Sequence, residues 1–219
     1  MEFKRVTKKE SKPIRMFGYN VISDLRKGLC NKYKFAHRLV GSAKWNTILK
    51  DKNGWWDIDF QLLLTKNSSE YKENELSHPT IIKNDFFNFL KDKHKDNKNY
   101  VVQNSTTAIT LINNTSKFSI DFVIIKLLPN NHEIIRRNNK DGSGKNEFTW
   151  NELPKNNKAY ADFLALSSDK KVKLIEEFIL PRKAKEKAKQ DNDPTKRSSS
   201  EVFIEEVNNY VSTKRNNWL

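Results

Sequence analysis

The sequence predicts an α+β fold in which a sheet is flanked by helices, and three observations support this prediction. Apolar residues recur at helical spacing from Ile14 to Leu29. Two strongly apolar runs, residues 56–64 and 118–125, have the length and composition of buried strands. From Glu147 to the end of the chain, the pattern is helical in character.

The chain of 219 residues is long enough for one large domain, or for a domain with a helical appendage. Charged residues dominate residues 1–13, which we expect to be a flexible N-terminus. Residues 14–135 contain the predicted strands and are expected to form the core. Residues 147–219 are expected to form a small helical lobe, in which Ser198 and Glu201 are spaced as a capping box.

Within the core, turns separate the predicted helices and strands. Gly41-Ser42 forms a turn after a short strand, and Pro79 opens a helix because proline is favoured at the first helical position. Asn113 to Ser116 is a turn between two β-rich runs, which predicts a hairpin. The expected elements are a strand over 33–40, a helix over 43–49, a strand over 56–64, a helix from 79, and a hairpin of 106–112 and 117–126.

Two carboxylates stand two residues apart in the strand over 56–64. Side chains alternate between the faces of a strand, so Asp57 and Asp59 leave one face while Ile58 and Phe60 leave the other. Two like charges side by side in an apolar strand repel each other, and a cation between them relieves the repulsion. Oxygen-only ligands on a rigid strand are typical of a Mg²⁺ site.

A third carboxylate, Asp121, lies in the middle of the most apolar run of the chain, Phe118 to Ile125. A lone buried carboxylate is costly unless it is paired or binds a metal ion. If this strand lies beside the strand that carries Asp57, three carboxylates converge on one point. That arrangement is typical of a two-metal site for phosphoryl transfer.

The Gly-Ser turn has the features of an anion-binding turn. Gly41 lets a ligand approach the backbone closely, and Ser42 adds a hydroxyl group. The helix expected after the turn would direct free N–H groups towards an anion, and Lys44 could contact the same phosphates. A Gly-Ser pair that stands alone is usually a plain turn, so its significance depends on the acidic residues that follow.

Together, Gly41-Ser42, Asp57-x-Asp59 and the later Asp121 resemble the pattern of the DNA polymerase β-like nucleotidyltransferase superfamily. The chain is most similar to the branch that holds the oligoadenylate synthases, the cyclic GMP–AMP synthases and their bacterial relatives. The resemblance spans about Arg38 to Lys126. It implies a mixed, largely antiparallel sheet flanked by helices, followed by a small C-terminal helical lobe.

The resemblance also implies an activity. A nucleoside triphosphate would be the donor, Mg²⁺ or Mn²⁺ the cofactor, and an acceptor hydroxyl would attack the α-phosphate and release pyrophosphate. Asp121 would help to remove the proton of that hydroxyl. The implied catalytic and metal-binding residues are Asp57, Asp59 and Asp121, and the implied nucleotide-binding residues are Gly41, Ser42 and Lys44.

The acceptor is left open by the sequence. A net charge of +14 favours a polyanionic partner such as RNA, DNA or nucleotide phosphates. Arg182 to Lys189 holds five positive charges and one negative charge, which usually indicates a solvated helix face and alternatively a surface that faces RNA or a nucleotide. Trp150, Tyr160 and Phe163 are candidates to stack on a base, although each is more typical of a core.

These observations leave several functions. The first is nucleotidyl transfer to RNA, with a transfer RNA end as one acceptor. The alternatives are synthesis of a nucleotide second messenger, transfer to a protein or small molecule, and a non-catalytic RNA-binding module. We expect a cytoplasmic protein, because the lone Cys30 fits a reducing compartment and no apolar run is long enough to span a membrane.

Overall fold

The computed structural model describes residues 3–67, 78–128, 131–138, 147–153, 157–190 and 192–216. Within these ranges, none of the helices is both long and apolar enough to cross a membrane. The strands are β1 Tyr33–Val40, β2 Trp56–Asn67, β3 Tyr100–Asn104, β4 Ala108–Asn113, β5 Phe118–Leu127, β6 His132–Arg137 and β7 Phe148–Glu152. The helices are α1 Lys8–Gly28, α2 Gly41–Trp45, α3 Pro79–His94, α4 Asn157–Ala165, α5 Ser168–Lys173, a π-helical segment Leu174–Ile179, α6 Leu180–Ala188 and α7 Ser199–Asn216.

The strands that the structure describes form one seven-stranded sheet. Five of them follow the order β1-β2-β5-β4-β3, and β6 pairs with β5 and with β7. Strands β2 and β5 are parallel, whereas the other pairs are antiparallel. The predicted α+β fold with a mixed, largely antiparallel sheet is therefore confirmed, as is the hairpin of β4 and β5.

The two faces of the central strand β2 differ in what they contact. Ile58, Phe60 and Leu62 are fully buried in the main hydrophobic core, to which α1 and α3 also contribute. Each such side chain contributes about 1.5–3 kcal/mol of burial free energy. Because side chains alternate along a strand, Asp57 and Asp59 must lie on the other face, away from this core.

The N-terminal segment is more ordered than the sequence predicted. Helix α1 begins at Lys8, because the Thr7 hydroxyl accepts from the N–H of Glu10 at 3.1 Å and the Glu10 carboxylate accepts from the N–H of Thr7 at 2.8 Å. Val6 is buried, and its N–H donates to the Ile48 carbonyl. The prediction of a flexible segment over 1–13 is wrong for the described residues, and the Thr-x-x-Glu capping box was the sequence signal that it overlooked.

The boundary of the helical lobe also differs from the prediction. Residues 148–152 form β7, which pairs with β6, and Phe148 is buried in the main core. The segment Phe-Thr-Trp-Asn-Glu alternates apolar and polar residues, as a half-buried strand does. The described helices after β7 begin with α4, and they pack around a second core cluster of Ala159, Phe163, Leu174, Ile179, Phe203 and Val207.

The capping box predicted at the start of the last helix is present. The N–H of Ser198 donates to Glu201 Oε2 at 2.7 Å, and the N–H of Glu201 donates to Ser198 Oγ at 3.2 Å. Helix α7 therefore begins at Ser199, with its first turn held in a fixed place. This matters for the site, because Ser198 and Ser199 line two adjoining cavities.

Candidate active site

The pairing of β2 with β5 brings the predicted acidic residues together. Asp59 lies directly opposite Asp121 in the parallel register, and Asp57 shares its face of β2. Burial, followed by the charges of Asp57 and Asp121, raises the pKa of Asp59 to about 8. Burial and the charge of Asp57 also raise the pKa of Asp121. The three carboxylates therefore share one electrostatic environment on one face of the sheet.

The Gly-Ser turn lies against these acids. Gly41 has a φ of +61°, and a Cβ atom placed on it would stand 2.3 Å from Asp59 Oδ2. Only glycine combines this left-handed conformation with so close an approach to a carboxylate. The close approach seen at Gly41 is to the Asp59 carboxylate, and its predicted contact with a phosphate stays a prediction.

Helix α2 begins at Gly41, so the Gly-Ser pair is its first turn, and it is shorter than the predicted helix over 43–49. It ends at Trp45, because Asn46 adopts a left-handed conformation with φ 56°. Arg15 Nη2 donates to Asn46 Oδ1 at 3.1 Å, and Arg5 Nε donates to the Asn46 carbonyl at 3.2 Å. Asparagine tolerates this conformation better than other non-glycine residues, and the two arginines fix it.

A lysine from the helical lobe, which was not among the predicted site residues, enters the site. Lys183 on α6 is 2% exposed, and its Nζ donates to Ser42 Oγ at 2.7 Å and to the Thr47 carbonyl at 2.6 Å. Burial lowers its pKa to about 8, although the charges of Asp57 and Asp59 oppose that shift. Lys183 thus places a positive charge against the Gly-Ser turn, near enough to Asp57 and Asp59 for their charges to act on it.

The rest of the basic segment Arg182 to Lys189 is also engaged within the protein. Arg182 pairs with Glu205 and Glu206 of α7, and Lys187 Nζ donates to the Leu49 carbonyl at 3.0 Å. Lys189 pairs with Glu186 at 2.8 Å. The interpretation of this segment as a solvated face is therefore wrong for most of its cations. The only sequence signal was the spacing of Lys183 and Lys187, four residues apart on one helix face.

A cavity of about 370 Å³ lies between the sheet and the helical lobe, and it collects most of the predicted site. Gly41, Ser42, Asp57 and Asp59 line it. Asp121 lies beside Asp59 on the sheet but is not among the lining residues. Lys44 is not among them either, and its ammonium stands 4.6 Å from the centre of the Trp45 ring. The lobe contributes Tyr160, Ser198, Ser199, Ser200 and Phe203 to the lining.

Three aromatic rings form one wall of this cavity. Trp45 and Tyr160 each stack on Phe203, with ring centres 5.5 Å apart in both pairs. Such a wall offers a flat surface to a nucleobase. Of the predicted stacking candidates, only Tyr160 lines the cavity; Phe163 is buried in the lobe core, and Trp150 packs beside the main core.

The chemistry of these groups suits a divalent cation. Among the residues that the structure describes, no group of three or more His, Cys, Asp or Glu side chains has a geometry that could hold a metal ion. Asp57 and Asp59 nonetheless offer only oxygen atoms, which suit Mg²⁺ and Mn²⁺. The raised pKa of Asp59 shows that its charge is disfavoured by burial and by two like charges, a cost that a cation would relieve. The donor set therefore fits the predicted ion.

No family model matches this sequence, and no curated protein matches it. Solved structures do share its fold. Vibrio cholerae DncV cyclic AMP-GMP synthase, in complex with a linear intermediate, is 16% identical with a TM-score of 0.60, covering 82% of this chain and 47% of that one. The STING-associated CdnE c-di-GMP synthase of Capnocytophaga granulosa is 18% identical with a TM-score of 0.60, covering 94% and 61%. Escherichia coli DncV in its 3′-deoxy GTP bound form is 15% identical with a TM-score of 0.60, covering 94% and 54%.

The fold is therefore that of the polymerase β-like nucleotidyltransferases, and the predicted fold is confirmed. Within that fold, the similar structures named above are bacterial cyclic dinucleotide synthases and their nucleotide-bound forms. This chain spans 47–61% of their length. At 15–18% identity, the likeness establishes the fold alone.

Proposed function

We propose that this protein is a metal-dependent nucleotidyltransferase that transfers a nucleoside monophosphate from a nucleoside triphosphate to an acceptor hydroxyl, with release of pyrophosphate. One observation carries the proposal: the face of the sheet on which Asp59 lies opposite Asp121 is also the face that the Gly41 turn approaches. Acids that can bind a metal ion and a turn that can bind phosphate are the two parts that this reaction needs side by side.

The triphosphate is assigned to the side of the cavity where the Gly-Ser turn meets the lobe. The Ser42 hydroxyl and the Lys183 ammonium are already within 2.7 Å of each other there. Residues 198–200, which open the 18-residue helix α7, line the same cavity. The N-terminal end of a helix of this length attracts an anion. In this assignment Lys183 takes the main role that the sequence had suggested for Lys44.

The metal ions are assigned to Asp57, Asp59 and Asp121, which would hold Mg²⁺ or Mn²⁺. When bound, such ions neutralise the triphosphate and lower the pKa of the acceptor hydroxyl. Asp121 is assigned to accept the proton of that hydroxyl, a role that is favoured by the burial that raises its pKa. The aromatic wall of Trp45, Tyr160 and Phe203 is assigned to the base of a bound nucleotide.

For the acceptor, we favour the hydroxyl of a second nucleotide, which makes the product a nucleotide second messenger. The similar structures are synthases of this class. The basic segment 182–189 had favoured RNA as a partner. Most of its cations bond to groups of the protein, so it now supports RNA less strongly. The cytoplasmic location expected from the lone cysteine is retained as part of this proposal.

Incubation with each α-³²P-labelled nucleoside triphosphate tests the proposal and identifies the acceptor. Reactions contain Mg²⁺ or Mn²⁺, with and without total RNA, and products are separated by size. Small labelled products formed without RNA are the expected result. Label that enters only RNA would replace the proposed acceptor with RNA, while the nucleotidyltransferase assignment would stand.

The matched variants are Asp57→Asn, which keeps the shape of a site residue, and Asp92→Asn, which changes an exposed carboxylate on α3. Only Asp57→Asn is expected to abolish the product. Binding of RNA by both variants, with no metal-dependent product from the unaltered protein, would favour the non-catalytic RNA-binding module instead.

A further inference from the structure

A second cavity, of about 250 Å³, adjoins the candidate active site and is not needed for the assignments above. Ser198 and Ser199 line both cavities, so the two meet at the start of helix α7. Lys183, which bonds to Ser42 in the first cavity, is also part of the lining of the second. The second cavity therefore begins where we have placed the triphosphate.

The lining of the second cavity is strongly basic. Lys183, Lys187, Lys196 and Arg197 all contribute to it, and the acid among its described lining residues is Glu186. The Glu186 carboxylate already accepts from the N–H of Arg197 at 2.8 Å and pairs with Lys189 at 2.8 Å. The negative charge of Glu186 is therefore already paired within the protein, and the cavity presents a net positive surface.

The same contacts hold the basic residues in place. Lys189 Nζ donates to the Thr195 carbonyl at 3.1 Å, and Lys196 Nζ donates to the Lys189 carbonyl at 3.3 Å. Together with the bond from Arg197 to Glu186, they tie the segment before α7 to the end of α6. The basic side chains that line the cavity are thus held in place by hydrogen bonds within the protein.

We propose that this second cavity binds pyrophosphate after the transfer step and forms its exit route. The proposal rests on the proposed nucleotidyltransferase activity. In an in-line displacement the leaving group departs on the side opposite the attacking hydroxyl. Here that is the side of Ser42 and Lys183, from which the basic cavity continues. Pyrophosphate therefore leaves without crossing the acceptor, and the newly linked nucleotides can stay in the first cavity.

Equilibrium dialysis with ³²P-labelled pyrophosphate tests this proposal without any turnover. The protein is studied in EDTA, so that only contacts with its own side chains are measured. The double variant Lys196→Ala/Arg197→Ala removes two cations that line only the second cavity. Lys185→Ala is the matched control, because Lys185 is an exposed cation of α6 outside both cavities.

We expect the unaltered protein and Lys185→Ala to bind pyrophosphate equally, and the double variant to bind it at least about tenfold more weakly. Circular dichroism confirms that the double variant is folded. Equal binding by the double variant would overturn the proposal, and so would a lack of binding by the unaltered protein. Neither outcome depends on labelled nucleotide transfer, so a failure of the exit route is distinguishable from a failure of the proposed activity.

Discussion

The ammonium of Lys183 on helix α6 lies 2.7 Å from the hydroxyl of Ser42, 141 residues earlier in the chain. This contact joins the helical lobe to the Gly-Ser turn of the sheet core. It also places a buried positive charge where the triphosphate is proposed to bind. The lobe is therefore part of the site and not only a cover over it.

Replacement of Lys183 by methionine should weaken nucleotide binding more than it weakens folding. Methionine keeps most of the length of the side chain and its apolar stem but loses the charged donor. A hydrogen bond from a charged group contributes about 1.5–3 kcal/mol, so KM for the nucleoside triphosphate should rise about 10- to 100-fold. Steady-state kinetics of Lys183→Met and of the control variant Lys185→Met measure this change in KM. An unchanged KM would show that Lys183 is a structural tether.

Alanine at Gly41 should damage activity out of proportion to stability. Its Cβ atom would stand 2.3 Å from Asp59 Oδ2 and displace that carboxylate, and the φ of +61° would be strained as well. A displacement of about 1 Å at a reacting centre can lower a rate by about 100-fold. Measurement of kcat and of urea unfolding separates the two effects.

Gly54→Ala is the control for Gly41→Ala, because Gly54 has a φ of +86° and a Cβ there meets only the flexible Lys117 side chain at 3.8 Å. Both variants should lose about 1–2 kcal/mol of stability from the left-handed conformation. Only Gly41→Ala should lose activity. Equal activity of the two variants would contradict the role given to the close approach.

Thr110 should be needed to orient Asp121. Its hydroxyl donates to Asp121 Oδ1 at 2.6 Å across the β4–β5 pair, which leaves the second carboxylate oxygen for a metal ion. Thr110→Val should weaken Mn²⁺ binding and lower activity, each by about 10- to 100-fold. Electron paramagnetic resonance measures the binding of Mn²⁺. Thr110→Ser keeps the hydroxyl and should restore both. Unchanged or tighter Mn²⁺ binding by Thr110→Val would refute this role.

Asp59 should make the metal-free protein less stable as pH rises. Its pKa of about 8 in the folded state exceeds its ordinary value of 3.8, so the folded state binds more protons between these limits. The stability from this group is complete below about pH 4 and is lost as pH rises to 8, by at most about 1.4 kcal/mol per pH unit. Urea unfolding in EDTA should show this slope in the unaltered protein and in Asp92→Asn.

In Asp59→Asn the slope due to Asp59 should be absent, and the variant should be the more stable protein at pH 8. Addition of Mg²⁺ should stabilise the unaltered protein more at pH 8 than at pH 6, because the ion binds the charged carboxylates. A pH dependence that is the same in Asp59→Asn and in the unaltered protein would contradict the burial of a charge at this position.

The acidic part of the site could be predicted because it follows from the local period of strands. Asp57 and Asp59 share a face in any strand, and the hairpin placed Asp121 in the sheet. Lys183 could not be found in this way, because its contact with Ser42 depends on how the lobe packs against the core. The charge pattern around it looks like that of an exposed helix.

Two boundaries of secondary-structure elements differ from the prediction, because the contacts that decide them leave only a weak signal in the sequence. Helix α2 stops at Trp45 because Arg5 and Arg15 hold Asn46 in a left-handed conformation. Strand β7 looked like the start of the lobe, although it completes the sheet through pairing with β6. In both cases a contact distant in sequence decides the local structure, which local propensity does not report.

The activity proposed for this cavity is transfer of a nucleotidyl group with release of pyrophosphate. Parallel reactions with α-³²P- and γ-³²P-labelled nucleoside triphosphate test it most directly. We predict the α-label in a nucleotide product and the γ-label in pyrophosphate or in the retained 5′-triphosphate of a linear product, with both products lost in Asp57→Asn and kept in Asp92→Asn. A γ-label released as orthophosphate with no α-label in a nucleotide product, or transfer that persists in Asp57→Asn, would contradict this activity.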